Sequence, residues 1–120
     1  MTQSFVIEGR LPSLNDYIEA ERANRYAAAN MKKKWQDYIA IEIRIAKLKK
    51  VEKPVVIFYR HFVPDKRRDR DNITAIAHKF TQDALVATGI LKDDGWDSVV
   101  NSFDFWQIDR VNPRIEVALK

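Results

Sequence analysis

The 120-residue chain holds 46% hydrophobic and 32% charged residues, no cysteine, three glycines and four prolines. This composition excludes a disordered or fibrous chain, a disulfide scaffold and Cys-ligated zinc, and the length bounds residues 1–120 to one domain. No apolar run approaches the roughly 20 residues that span a bilayer. The start, Met1-Thr-Gln-Ser-Phe-Val-Ile-Glu8, lacks the basic and apolar blocks of a leader, so a cytoplasmic protein without a membrane partner is expected.

The net charge of +4 comes from the first part of the chain: residues 1–50 carry 10 Lys/Arg against 6 Asp/Glu, and residues 51–120 carry 11 of each. A basic first part suits a polyanionic partner. Two acid clusters in the second part then need their own explanation: Asp65, Asp69 and Asp71, followed by Asp93, Asp94, Asp97 and Asp104. Turn and cap chemistry is one explanation. The other is that carboxylates in a phosphate-binding protein hold metal ions.

In chain order, Ser4 to Arg10 alternates Phe5 and Ile7 with polar neighbours and reads as a strand. Leu11 to Tyr17 reads as a loop, since Pro12-Ser13 and Asn15-Asp16 both favour turns. From about Asn24 to Lys50 the pattern is helical, with Met31, Trp35, Tyr38, Ile41, Ile45 and Leu48 on one face and Pro54 ending the pattern. Lys32, Lys33 and Lys34 lie mostly off that stripe, as a solvated face or as phosphate contacts.

Val55 to Val63 is β-branched and aromatic, hence a strand. After the charged loop Pro64 to Asp71, a second helix buries Ile73, Ile76, Ala77, Phe80, Ala84 and Leu85 and ends at Gly89. Ile90 to Asp97 is a loop, and Ser98 to Ile108 and Ile115 to Leu119 are strands. The order β-α-β-α-β-β predicts a two-layer α+β domain, with helices packed on a mixed or antiparallel sheet.

The chemistry concentrates in Arg67-Arg-Asp-Arg-Asp-Asn72. In an extended stretch Asp69 and Asp71 share a side, and two carboxylates on one target repel unless a cation lies between them. Oxygen ligands suit a hard ion, Mg²⁺ or Mn²⁺. Asp71 or Asn72 also suits the N-cap of the next helix. On that helix Asn72, Lys79 and Asp83 form a polar stripe, either an i,i+4 ion pair or a place for Lys79 to stabilise phosphoryl charge. Asp93 or Asp94 can complete a three-carboxylate site if their loop folds back. His61 and His78 show no metal or triad spacing and read as structural or surface residues.

The run Asp69-Arg-Asp71-Asn72, Lys79, Asp83-Ala84-Leu85, Gly89 and Asp93-Asp94 resembles the RusA-type Holliday junction resolvases. Leu11-Pro-Ser-Leu-Asn15-Asp-Tyr17 is similar to that family's Pro-Ser-x-Asn-x-x-Tyr segment, with the Tyr one position nearer. The resemblance implies an often prophage-borne, homodimeric, Mg²⁺-dependent endodeoxyribonuclease that cuts four-way DNA junctions in recombination and repair. It implies catalytic roles for Asp69, Asp71, Asp94 and Lys79, with Asp93 as the alternative third ligand. Arg67, Arg68, Arg70, Lys32, Lys33, Lys34 and Asn15 would contact DNA, and Asn72 would support the site. Surplus aromatic surface around Trp35, Tyr38 and Phe103 to Trp106 would serve the dimer. The competing classes are a non-catalytic nucleic-acid-binding protein and a nuclease for other branched or single-stranded substrates.

Overall fold

In the computed structural model residues 2–120 are described. The chain runs β1 (Gln3–Glu8), α1 (Leu14–Ala23), α2 (Arg25–Ile45), β2 (Val55–Val63), α3 (Arg70–Ala87), β3 (Val99–Ile108) and β4 (Arg114–Leu119). The four strands form one mixed sheet in the order β1-β4-β2-β3, with β4 antiparallel to both neighbours and β2 parallel to β3. A parallel pair needs a crossover, and α3 supplies it. The α+β expectation holds. No helix among the described residues is long and apolar enough to cross a membrane.

Alternation decides which sheet face is covered. Phe5, Ile7, Ile57, Tyr59, Ile115, Val117 and Leu119 share one face by register and are buried against Ile39 and Ile43 of α2 and Ile76, Phe80 and Ala84 of α3. The other face carries no helix. There Phe58 stacks on Phe103 at 5.4 Å, while Phe103 and Phe105 stay 44% and 50% exposed.

The segment 11–17, expected as a loop, enters a helix at Leu14. Ser13 is the N-cap: its hydroxyl accepts the Asp16 N–H at 3.1 Å, and the Asp16 carboxylate accepts the Ser13 N–H at 2.9 Å. This reciprocal box satisfies two of the amides a helix start leaves unpaired, and it outweighs the turn preference of Asn15-Asp16. The chain order is therefore β-α-α-β-α-β-β, with one helix more than expected. The Ser13 N–H, the largest influence, holds the Asp16 carboxyl below its ordinary range, with Arg68 assisting and burial opposing. Asp16→Asn should lower stability by about 0.3–1 kcal/mol at neutral pH, as expected for a first-turn acid. A depressed folded pKa gives stabilisation that is present above the unfolded value and lost as pH falls through the folded one. The wild-type and variant denaturation curves should therefore converge in acid.

α2 begins where expected, with the Asn24 side chain accepting the Tyr26 and Ala27 N–H groups at 2.9 and 2.8 Å. It ends at Ile45, well before Pro54, because Lys47 takes a left-handed φ of 56°. Its buried stripe is Ala28, Ile39, Ala40 and Ile43, whereas Ile41 and Ile45 are 51% and 67% exposed. The expected face is thus rotated, and Trp35 and Tyr38 flank the core instead of centring it. α3 buries its expected residues except Ile73, which is half-buried. It closes in a Schellman turn, with Gly89 at φ 78°, its N–H on Val86 O at 3.0 Å and the Ile90 N–H on Leu85 O at 2.9 Å.

Candidate functional site

The loop Pro64–Arg68 leads to the start of α3. Its turn is held by the Asp65 carboxylate, which accepts the Arg67 N–H at 2.9 Å. Arg68 turns inward, donating to Leu11 O at 2.9 Å and to Asp16 at 3.2 Å. Burial lowers its pKa, the nearby Arg10 adds to that, and Asp16 opposes it. Arg68 therefore clamps the loop to the α1 cap. Arg67 stays exposed, and the Arg70 guanidinium lies 5.4 Å from the Trp106 ring centre. Lys66, Arg68, Arg70, Ile73 and Trp106 line a groove beside the loop, a basic rim around an indole.

The carboxylates do not sit on an extended stretch. Asp69, not Asp71 or Asn72, is the N-cap of α3, and its side chain makes no capping hydrogen bond. Its backbone carbonyl accepts the Asn72 N–H at 3.1 Å. Asp71 lies in the first helical turn, so the strand-like alternation expected for the pair does not apply, while its negative charge suits the helix dipole. Asp93 is a turn residue: its carboxylate accepts the Gly95 N–H at 2.8 Å, which is the main reason its pKa falls. Asp94 beside it is exposed. The donor chemistry of Asp69, Asp71 and Asp94 suits a hard cation. Among the described residues, however, these three do not gather within reach of one ion.

Lys79 lies eight residues beyond Asp71, about 12 Å along the helix axis. Its ammonium meets Asp83 at 3.4 Å, one turn further on, and Lys32 of α2 reaches the other Asp83 oxygen at 2.9 Å. The predicted Lys79–Asp83 pair forms, and Asp83 ties α2 to α3. Lys33 pairs with Asp37 at 2.9 Å, and Lys34 lies 5.0 Å from the Trp35 ring centre. Asn15 lies in α1.

A second cluster joins residues the sequence leaves far apart. In the β2–β3 register Tyr59 faces Asp104 and His61 faces Trp106, and α3 brings His78 onto the same spot. The Asp104 Oδ1 accepts from His61 Nε2 at 2.6 Å and from His78 Nε2 at 2.9 Å. Burial pushes the Asp104 carboxyl up, but the two imidazole hydrogen bonds outweigh it and hold the group well below the carboxylate range. His61 stacks on Trp106 and His78 on Tyr59, each with centroids 4.3 Å apart. Burial raises the Tyr59 hydroxyl, which accepts from Gln82 at 3.3 Å. His61 Nδ1 is buried without a partner. No spacing rule finds this group, because it depends on which strands are neighbours; the one sequence signal is a His in a strand that is apolar apart from it and Arg60.

Neither protein-family models nor curated proteins give a match to this chain.

Proposed function

We propose that the protein is a metal-dependent endodeoxyribonuclease of the RusA type that resolves four-way DNA junctions as a homodimer. The observation that carries this reading is the placement of Asp69, Asp71 and Asn72 at the start of α3, next to a basic loop and on the helix that bears Lys79. Asp69, Asp71 and Asp94, or Asp93 in its place, suit Mg²⁺ or Mn²⁺ by donor chemistry but stand apart in this structure. They would have to be drawn together to hold the ion, which would supply water activation and charge neutralisation at a scissile phosphate. The chain's own cations do the positioning. Arg67 and Arg70 beside the loop, with exposed Lys33 and Lys34, attract backbone phosphates, and affinity should fall with salt accordingly. Arg68 acts on DNA indirectly, by fixing the loop. Half-exposed Phe103 and Phe105 offer apolar area that a dimer can bury.

A second reading, nucleic-acid binding without cleavage, is favoured by the three carboxylates standing apart and by the Lys79–Asp83 pair. One experiment separates the two. Purified protein is incubated with a synthetic four-way junction, a linear duplex and a single strand, with and without Mg²⁺. Paired incisions confined to the junction in Mg²⁺ are expected. Retention of the junction without incision supports the second reading, and preferential cutting of the single strand redirects the substrate assignment.

A further inference from the structure

We propose that His61, His78 and Asp104 form a binding site for a transition-metal dication, Zn²⁺ first, separate from the carboxylates of α3. The inference is independent of the nuclease reading. β2, α3 and β3 each bring one ligand atom to the same place, all within 4.8 Å of one another. The set is two imidazole nitrogens and one carboxylate oxygen, a combination that suits Zn²⁺ or Co²⁺ and not Mg²⁺.

Bond lengths of about 2.0–2.2 Å in a tetrahedral arrangement place ligand atoms roughly 3.4 Å apart. The His61–Asp104 and His78–Asp104 separations of 2.6 and 2.9 Å thus need to open by under about 1 Å to admit an ion. Little rotamer freedom remains to be lost, because Trp106 and Tyr59 already hold the two rings by stacking. The His61 side chain is 1% exposed, whereas those of His78 and Asp104 are 28% and 21% exposed, which gives the ion a path from solvent.

His61 Nδ1, on the far side of the ring from the proposed ligand atom, is buried without a partner. That same nitrogen sets the strength of the site. Metal-bound imidazoles normally donate their second N–H to an outer partner, and losing one weakens binding about 10–100-fold. The expected affinity is therefore about 10–100-fold below that of a site with the same ligands and a complete outer shell.

The test uses tag-free, chelator-treated protein titrated with Co²⁺, read by visible absorption, and with Zn²⁺, read by calorimetry. With excess Mg²⁺ present to occupy the α3 carboxylates, one equivalent per chain and a tetrahedral Co²⁺ spectrum are expected. Asp104→Asn and His78→Gln should each weaken Zn²⁺ binding at least a hundredfold and abolish the spectrum. His78 is partly exposed, so its variant remains folded and informative if the Asp104 variant does not. Asp71→Asn should bind Zn²⁺ as the wild type does. The proposal is overturned if wild type takes up no stoichiometric metal, if His78→Gln binds it equally well, or if Asp71→Asn loses it.

Discussion

Asp71→Asn is expected to slow single-turnover junction cleavage by a factor on the order of 10²–10³, while junction affinity changes no more than a few-fold. Asparagine keeps the shape and one acceptor oxygen but removes the charge that would hold a divalent ion. The substitution also removes a negative charge from the first turn of α3, which costs about 0.3–1 kcal/mol. That loss is small beside a total stability of about 5–15 kcal/mol, so a folded variant is expected. Anisotropy with a labelled junction in Ca²⁺ measures affinity, and rapid quench in Mg²⁺ measures the rate on saturated complex. Cleavage at the wild-type rate would take Asp71 out of the chemistry. A collapse of affinity at an unchanged rate would make it a folding residue for the basic loop.

Phe80→Ala should destabilise the protein by about 3–5 kcal/mol, as for other buried phenylalanines. Phe80 is 1% exposed, and its ring meets Tyr17 edge-on with centroids 5.9 Å apart. It thereby joins α3 to the sheet and to α1 at once. Removing the ring opens a cavity between α3, the sheet and α1. Urea denaturation should show a lower midpoint at unchanged slope. A loss under about 1.5 kcal/mol would mean that α1 and α3 close over the gap.

Local signals made most of the fold legible. Val55 to Val63 gave β2 with its bounds, because nine consecutive residues favour the extended chain and only Arg60 and His61 interrupt the apolar run. Asn24 and Gly89 marked helix ends because their side-chain and backbone chemistry is local. α1 was hidden by a conflict between two local rules: Asn15-Asp16 reads as a turn, while Ser13 and Asp16, three apart, form a box. α2 carries two overlapping apolar stripes, and only the packing partner selects Ile39 and Ile43 over Ile41 and Ile45. The candidate site divides in the same way. The DxDN run is readable as a motif, whereas the His61–Asp104–His78 group depends on a strand pairing that no short-range pattern encodes.

The strand order has a consequence for how the molecule is assembled. β4 lies between β1 and β2, and residues 3–8 pair with residues 114–119. The N-terminal strand therefore waits, without its partner, until nearly the whole chain has been made. Long-range closure of this kind is slow, since the loop entropy is lost before the contacts form. The α2–α3 layer and the β2–β3 pair can gather earlier, from residues 25–108. A chain cut short before Arg114 would strand β1 altogether and leave one side of β2 unpaired, so the last six-residue strand closes the whole sheet.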